Sequence, residues 1–148
     1  MRSLKIEHRR QKSSTGCLAA CAQMALAHLE IVVTQAELNH LLGLTPAGVP
    51  ISHLTRLERY GVQTQFKKGA TEDLKRAIDR DVPPIILVHT AQLPYWTIDI
   101  QHALLVSGYD EETFLLNDPA FTDPQRVPIL ELMLAWDEFD NRYALVVK

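Results

Sequence analysis

Only two of the 148 residues are cysteine, Cys17 and Cys21, four positions apart and with no others to pair with. That excludes a disulfide framework and makes a reducing, cytoplasmic compartment the expected home. An excess of charge of one sign is also missing. Fifteen Lys and Arg against eighteen Asp and Glu leave a net charge of −3, so no general attraction to nucleic acid is expected. The local exception, residues 2–12 with five basic side chains and one acid, reads as a solvated N-terminal segment. Long apolar runs are absent too. The longest uncharged stretches, 13–29, 38–55 and 82–98, are too short or too interrupted by Pro, Gly, Asn, Gln and His to span a bilayer. A secretory signal is not expected, because residues 11–16 are polar and the apolar stretch after them has helical periodicity. No repeat or low-complexity segment occurs. What remains is an ordinary globular balance, 47% hydrophobic and 22% charged, long enough to bury a core, and the expectation is one domain over residues 1–148.

The first half of the chain has helical spacing. From Cys17, Leu18, Cys21, Ala22, Ala25 and Leu29 recur at three- and four-residue steps, which predicts a helix with one apolar stripe after the polar stretch Ser13, Ser14, Thr15, Gly16. Thr34 predicts a cap for a second helix over Gln35–Leu42 ended by Gly43. A third is expected over Ile51–Tyr60 with Gly61 as its stop, and Thr71 is expected to cap a fourth. The second half changes period. Ile85–His89 reads as a strand and the segment with Pro94, Tyr95 and Trp96 as a loop. Residues 102–109 and Thr113–Asn117, separated by Asp110, Glu111 and Glu112, predict a hairpin. A Pro-rich connection over 119–128 leads to a short helix at 129–136 and a last strand at 143–147. Helices followed by a mainly antiparallel sheet place the chain in the α+β class.

Cys17 falls at a helix start, where unpaired N–H groups and the helix dipole stabilise a thiolate. Cys21, one turn further in on the apolar stripe, is expected to behave as a small buried hydrophobe. A nucleophilic cysteine needs a base, and His102 opens the most strand-like run of the chain. Hairpin geometry supplies a third member. If residues 110–112 form a three-residue turn, Tyr109 faces Thr113, Leu104 faces Asp118 and His102 faces Ala120. Asp118 then lies diagonally beside His102 on one face, about 7–8 Å between backbone positions, which polar side chains can bridge. A one-residue slip would send it to the other face. Acyl transfer through cysteine also needs donors aimed at the developing oxyanion, and the Gln11 amide together with the backbone N–H of Cys17 can supply two. His8, His28, His40, His53 and His89 have no comparable context. Tyr95, Trp96 and the loop 44–50 are candidates for a cleft wall.

Gln11 six residues before Cys17 at a helix start, His102 leading an apolar strand that ends Gly108-Tyr109-Asp110, and Asn117-Asp118-Pro119 after the next strand together resemble the papain-like cysteine peptidases that process bacteriocin and peptide-pheromone precursors. The resemblance covers nearly the whole chain, and it implies a papain-like fold with N-terminal helices packed on the sheet. It also implies roles: Cys17 as nucleophile, His102 as general base and acid, Asp118 as orienting carboxylate and Gln11 as oxyanion donor. Members of that family cut leader peptides after a Gly-Gly pair, usually as the N-terminal domain of an exporting transporter. The chain has Gly16 and Leu18 where the family usually has Asp and Gly. It has no phosphate-binding loop, so a stand-alone member is expected. The implied partner is a peptide or protein substrate, with no cofactor and no metal. A metal site has little behind it, since no CxxC, His-x₃-His or HExxH completes a ligand set. A serine hydrolase lacks its G-x-S-x-G elbow. The same Cys-His-Asp set could serve an acyltransferase, amidase or deamidase, and the cleft could belong to a module that binds peptide without cutting it.

Overall fold

Ile85–His89 and the run 103–106 carry apolar residues without polar alternation, which suits strands covered on both faces. The structure, a computed structural model, describes residues 1–137 and 139–148. Among these, seven strands form one sheet: β1 Arg2–Ser3, β2 Gln63–Lys68, β3 Ile85–His89, β4 Gln101–Tyr109, β5 Thr113–Asn117, β6 Gln125–Pro128 and β7 Arg142–Val147. The spatial order is β2-β7-β3-β4-β5-β6, and β1 pairs with β4. All these pairings are antiparallel. Alternate side chains of the central strands enter two cores. Ile85, Ala103, Leu105 and Ala144 pack with residues of helix α1 (Cys17–His28), helix α2 (Gln35–Leu42) and a 3₁₀ helix (Ile51–Tyr60). Ile86, Val88, Leu104 and Leu116 pack on the opposite face with Leu74 and Ile78 of α3 (Thr71–Asp79) and Leu132 and Trp136 of α4 (Ile129–Asp137). The class is α+β as expected, with a helical layer on each face of the sheet. No helix among the described residues is long and apolar enough to cross a membrane.

Local chemistry explains where elements start, stop and depart from expectation. The Thr34 hydroxyl accepts from Glu37 N at 3.1 Å, and Gly43 adopts the left-handed φ of +76° that closes α2. Ile51, Leu54, Leu57 and Tyr60 recur every three residues, so Ile51–Tyr60 winds as a 3₁₀ helix with Leu54 and Leu57 buried. Thr71 is not the cap of α3. Ala70 occupies that place, and its N–H is satisfied by the Asp73 carboxylate at 2.8 Å. α1 is buried on more than one stripe, because β4 and α2 both pack on it and an N-terminal strap adds Ile6 and the Arg9 N–H contact to Met24. Residues 2–12 are that strap rather than a solvated tail: Leu4 N donates to Ser107 O (2.7 Å), Gln11 N to Pro119 O (2.7 Å) and Lys12 N to the Gln35 side chain (3.0 Å). Its charged side chains point outward while Leu4, Ile6 and His8 turn in, an alternation of period two. Two edge strands, β2 and β6, lie where no strand was expected. Both are polar, as strands at a sheet edge are.

The hairpin between β4 and β5 decides where Asp118 goes. The turn is one residue tighter than expected: Asp110 N bonds Thr113 O at 2.9 Å, leaving Glu111 and Glu112 at the tip, and Tyr109 pairs with Phe114 rather than Thr113. A bulge between Val106 and Gly108 then takes up one residue of β4, so that Leu105 faces Asn117, the register expected from the sequence. Gly108 makes room for the strap beside the bulge. A Cβ there would sit 2.8 Å from Ser3 Cβ and 3.0 Å from Arg2 O. Asp118, one residue past β5, is thereby delivered to the face that carries His102.

Candidate active site

Cys17 is the first residue of α1, and the residue before it, Gly16, offers no side-chain cap. The helix N-terminus is therefore left to act on the thiol. The half-buried Cys17 sulfur is hydrogen bonded to His102 and receives the backbone N–H groups of Ala103 and Leu18. Burial pushes this thiol up, but the His102 hydrogen bond and charge, with those N–H groups, outweigh it and hold Cys17 below the ordinary cysteine range. His102 sits on β4 with its Nε2 2.6 Å from Asp118 Oδ1, which leaves Nδ1 for the sulfur. Burial alone would depress the imidazolium. The hydrogen bonds to Asp118 and Cys17 and their charges prevail and raise it to about 9. Asp118 is wholly buried, which by itself raises a carboxyl, yet the His102 hydrogen bond and charge, aided by Ala120 N and Trp96, keep it below the usual carboxylate value. Thiolate, imidazolium and carboxylate thus favour one another in a line. Cys21 behaves oppositely. It is fully buried, and burial first, then the charges of Cys17 and Asp118, push its thiol far up.

Beside Cys17 opens a cleft of about 780 Å³. Thr45, Ala47, Gly48, Val49 and Pro50 of the loop 44–50 line it, as expected for that loop, with Leu87, Ile100 and Gln101 on the sheet side. Thr45 and Gly48 exchange backbone hydrogen bonds, and Thr15 Oγ1 ties the loop to the segment before Cys17 by donating to Thr45 O at 3.0 Å. Among the described residues lining the cleft none is Asp, Glu, Lys or Arg. Gln11 lies at the foot of the strap. Its amide N–H₂ donates to the carbonyls of Ser13 (2.9 Å) and Ser14 (3.2 Å), while its Oε1 is buried without a partner. No group of three or more His, Cys, Asp or Glu among the described residues is placed to hold a metal ion.

The model of the family described as Peptidase_C39 like matches residues 3–147. The chain belongs to this family. It is accordingly a cysteine peptidase, a hydrolase. Solved structures agree in fold. A protein described as a C39-like peptidase from Bacillus anthracis superposes with a TM-score of 0.80 at 16% identity, covering 100% of this chain and 98% of the other. A double glycine motif protease from an AMS/PCAT transporter, in complex with the leader peptide, gives 0.78 at 19% identity, covering 98% and 93%. The peptidase domain of Streptococcus ComA, a bi-functional ABC transporter of a quorum sensing pathway, gives 0.78 at 16%, covering 99% and 98%. The papain-like architecture expected from the sequence is the fold of these domains. Among curated protein sequences no significant match is found.

In this C39-like peptidase two aromatic residues sit elsewhere than the sequence suggests. Tyr95 and Trp96 are not in the cleft wall; that place is taken by Ile100 and Gln101. They stand behind the His102–Asp118 pair and donate to Asp118 Oδ2, Tyr95 Oη at 2.7 Å and Trp96 Nε1 at 2.9 Å. The Trp96 ring also meets the His102 ring edge-on, with centroids 5.0 Å apart. His8 braces the same region from the strap, its Nδ1 3.0 Å from Asn117 Nδ2 and its Nε2 2.8 Å from Phe121 O. The signal open to sequence reading was general: Tyr and Trp carry a polar tip that needs a partner when buried. Which partner is set by contacts spanning 23, 22 and 109 positions of chain.

Proposed function

We propose that this peptidase cleaves a peptide or protein substrate through an acyl-enzyme on Cys17, with His102 as general acid and base and Asp118 orienting the imidazole. The observation that carries the reading is the hydrogen-bonded line from Cys17 through His102 to Asp118, poised as thiolate, imidazolium and carboxylate, with Cys17 and His102 opening onto a cleft lined by no Asp, Glu, Lys or Arg. The Cys17 thiolate attacks the scissile carbonyl carbon. As the C–N bond breaks, His102 Nδ1 gives its proton to the leaving amine, and the acyl group stays on sulfur as a thioester. Water then attacks the thioester while His102 takes its proton. The acid product leaves, and the sulfur departs as the thiolate beside a reprotonated imidazole. Negative charge on the tetrahedral carbonyl oxygen is met by Cys17 N–H, and the role of second donor is assigned to the Gln11 amide, which without substrate is held by the Ser13 and Ser14 carbonyls.

The cleft suits an extended segment: its lining holds no Asp, Glu, Lys or Arg to pair with a charged side chain, and Val49, Ile51, Leu87 and Ile100 give it an apolar wall. Cleavage after small residues such as Gly-Gly is inferred from a neighbour of the same fold, a double glycine motif protease solved with its leader peptide. A reactive thiolate and two unpaired thiols suit a reducing, cytoplasmic setting. Mass spectrometry of Cys17 after acid quenching of a reaction with a Gly-Gly leader peptide tests the reading. A peptide fragment ending at the cleaved glycine is the expected adduct. A fatty or amino-acyl group on Cys17 would instead assign the site to acyl transfer.

A further inference from the structure

We propose that Tyr95 and Trp96 are positioning residues of the catalytic set, holding the Asp118 carboxylate on His102 Nε2 so that the other imidazole nitrogen stays aimed at Cys17. This role rests on the reading of Cys17, His102 and Asp118 given above and extends it to the loop before β4.

A carboxylate offers about four acceptor positions, and all four on Asp118 are taken. Oδ1 receives His102 Nε2 at 2.6 Å and Ala120 N at 2.9 Å; Oδ2 receives Tyr95 Oη at 2.7 Å and Trp96 Nε1 at 2.9 Å. Two donors on each oxygen fix the carboxylate plane, because rotation about its C–C bond would break bonds at both ends. The pair is also sealed. Asp118 is fully buried, and Phe121 meets the Tyr95 and Trp96 rings edge-on at 5.0 and 5.2 Å. An ionised carboxylate in such surroundings is tolerated only when hydrogen bonded on both oxygens. The two donors on Oδ2 come from one short segment with a rigid base. Buried Thr90 donates its hydroxyl to Ile98 O (2.7 Å), accepts from Ile100 N (2.9 Å) and bonds Ile100 O through its own N–H (3.1 Å). Trp96 additionally sets the plane of the imidazole through its edge-on contact. The same segment runs on into Ile100 and Gln101 of the cleft, so the support of Asp118 and the sheet-side wall are one piece of chain.

A purely structural role would satisfy the same polar tips without affecting His102, and titration separates the two. The titratable groups that face the pair are Cys17 and Cys21 from α1 and Tyr95 from the loop; His8 of the strap reaches the Asn117 amide next to Asp118. The Tyr95 hydroxyl stays a donor throughout, since burial and the Asp118 charge push its ionisation far up. The test is an NMR titration of the His102 imidazole, with ultraviolet absorbance of the Cys17 thiolate, on the full chain as wild type, Tyr95→Phe, Trp96→Phe and the double variant. In the double variant the released carboxylate turns away from His102 Nε2, and His102 is expected to lose its proton about one pH unit lower than in the wild type, the scale of one charged hydrogen bond lost by the imidazolium itself. An upward shift, the response of a carboxylate still aimed at His102 but stripped of two donors, would overturn the proposal. The thiolate should then form only at higher pH. Tyr95→Phe, which keeps the ring against Phe121, should move both titrations the same way by less, and it serves if the double variant does not fold. Titrations at wild-type positions in a variant whose Tm has fallen would overturn the proposal and leave the two residues as packing. A wild type without thiolate below the ordinary cysteine range would bring down the Cys17–His102 pairing itself, an outcome read without any variant.

Discussion

The chemistry of the molecule turns on how two buried ionisable side chains change the meaning of a third. Burial alone would make Cys17 a poor thiolate; a buried imidazolium held by a buried carboxylate reverses that. A pH profile follows from the directions of these shifts. Activity, as kcat/KM, should rise with Cys17 ionisation at a pH below the ordinary thiol value and fall as the His102 imidazolium loses its proton near 9. A fall centred near the unperturbed histidine value of about 6.5 would contradict the pairing. Gln11→Ala should lower kcat by about 10²–10³ with KM little changed, the size of one oxyanion donor lost, as single-turnover and steady-state assays can establish. Cys17 and His102 were legible because position within an element separates them from the other thiol and the other histidines. Tyr95, Trp96 and His8 were not, because their partners are supplied by folding and no local pattern marks them.

Among the elements, the β4–β5 hairpin carries the greatest consequence. Its turn is one residue shorter than the sequence suggests, and a bulge at Ser107 restores the register that puts Asp118 beside His102. Two departures that cancel preserved the outcome, so the site was legible while the hairpin's geometry was not. Deleting Ser107 should remove the bulge yet leave a regular ladder, Gly108–Leu115 followed directly by Val106–Leu116 and Leu105–Asn117, so Asp118 should stay beside His102 and peptide cleavage, followed by chromatography of the products, should persist. Loss of cleavage in a folded deletion variant would argue that the bulge itself, rather than the register, positions Asp118. Helix ends governed by Thr34, Gly43 and Gly61 were readable from residue type. The edge strand β2 was hidden by its polar composition, and the 3₁₀ pitch of Ile51–Tyr60 was available in its three-residue spacing.

On the scale of the molecule, the site is a meeting of distant segments closed by the N-terminal strap. The strap pairs with β4, bonds Pro119 beside Asp118, and anchors to α2 through Gln35. Its basic composition disguised it; the inward turn of Leu4, Ile6 and His8 was the overlooked sign. Removing residues 1–8 should lower Tm and expose the 119–123 segment to faster proteolysis, with cleavage activity falling alongside; an unchanged proteolytic pattern would deny the strap this role. The central claim is that one of two cysteines is the nucleophile and the other a packing residue. The most direct measurement is the rate of iodoacetamide alkylation at each thiol in the native protein at neutral pH, read by peptide mass spectrometry. Cys17 should react far faster than Cys21, and His102→Ala should slow it. Equal labelling, or faster labelling of Cys21, would contradict the account.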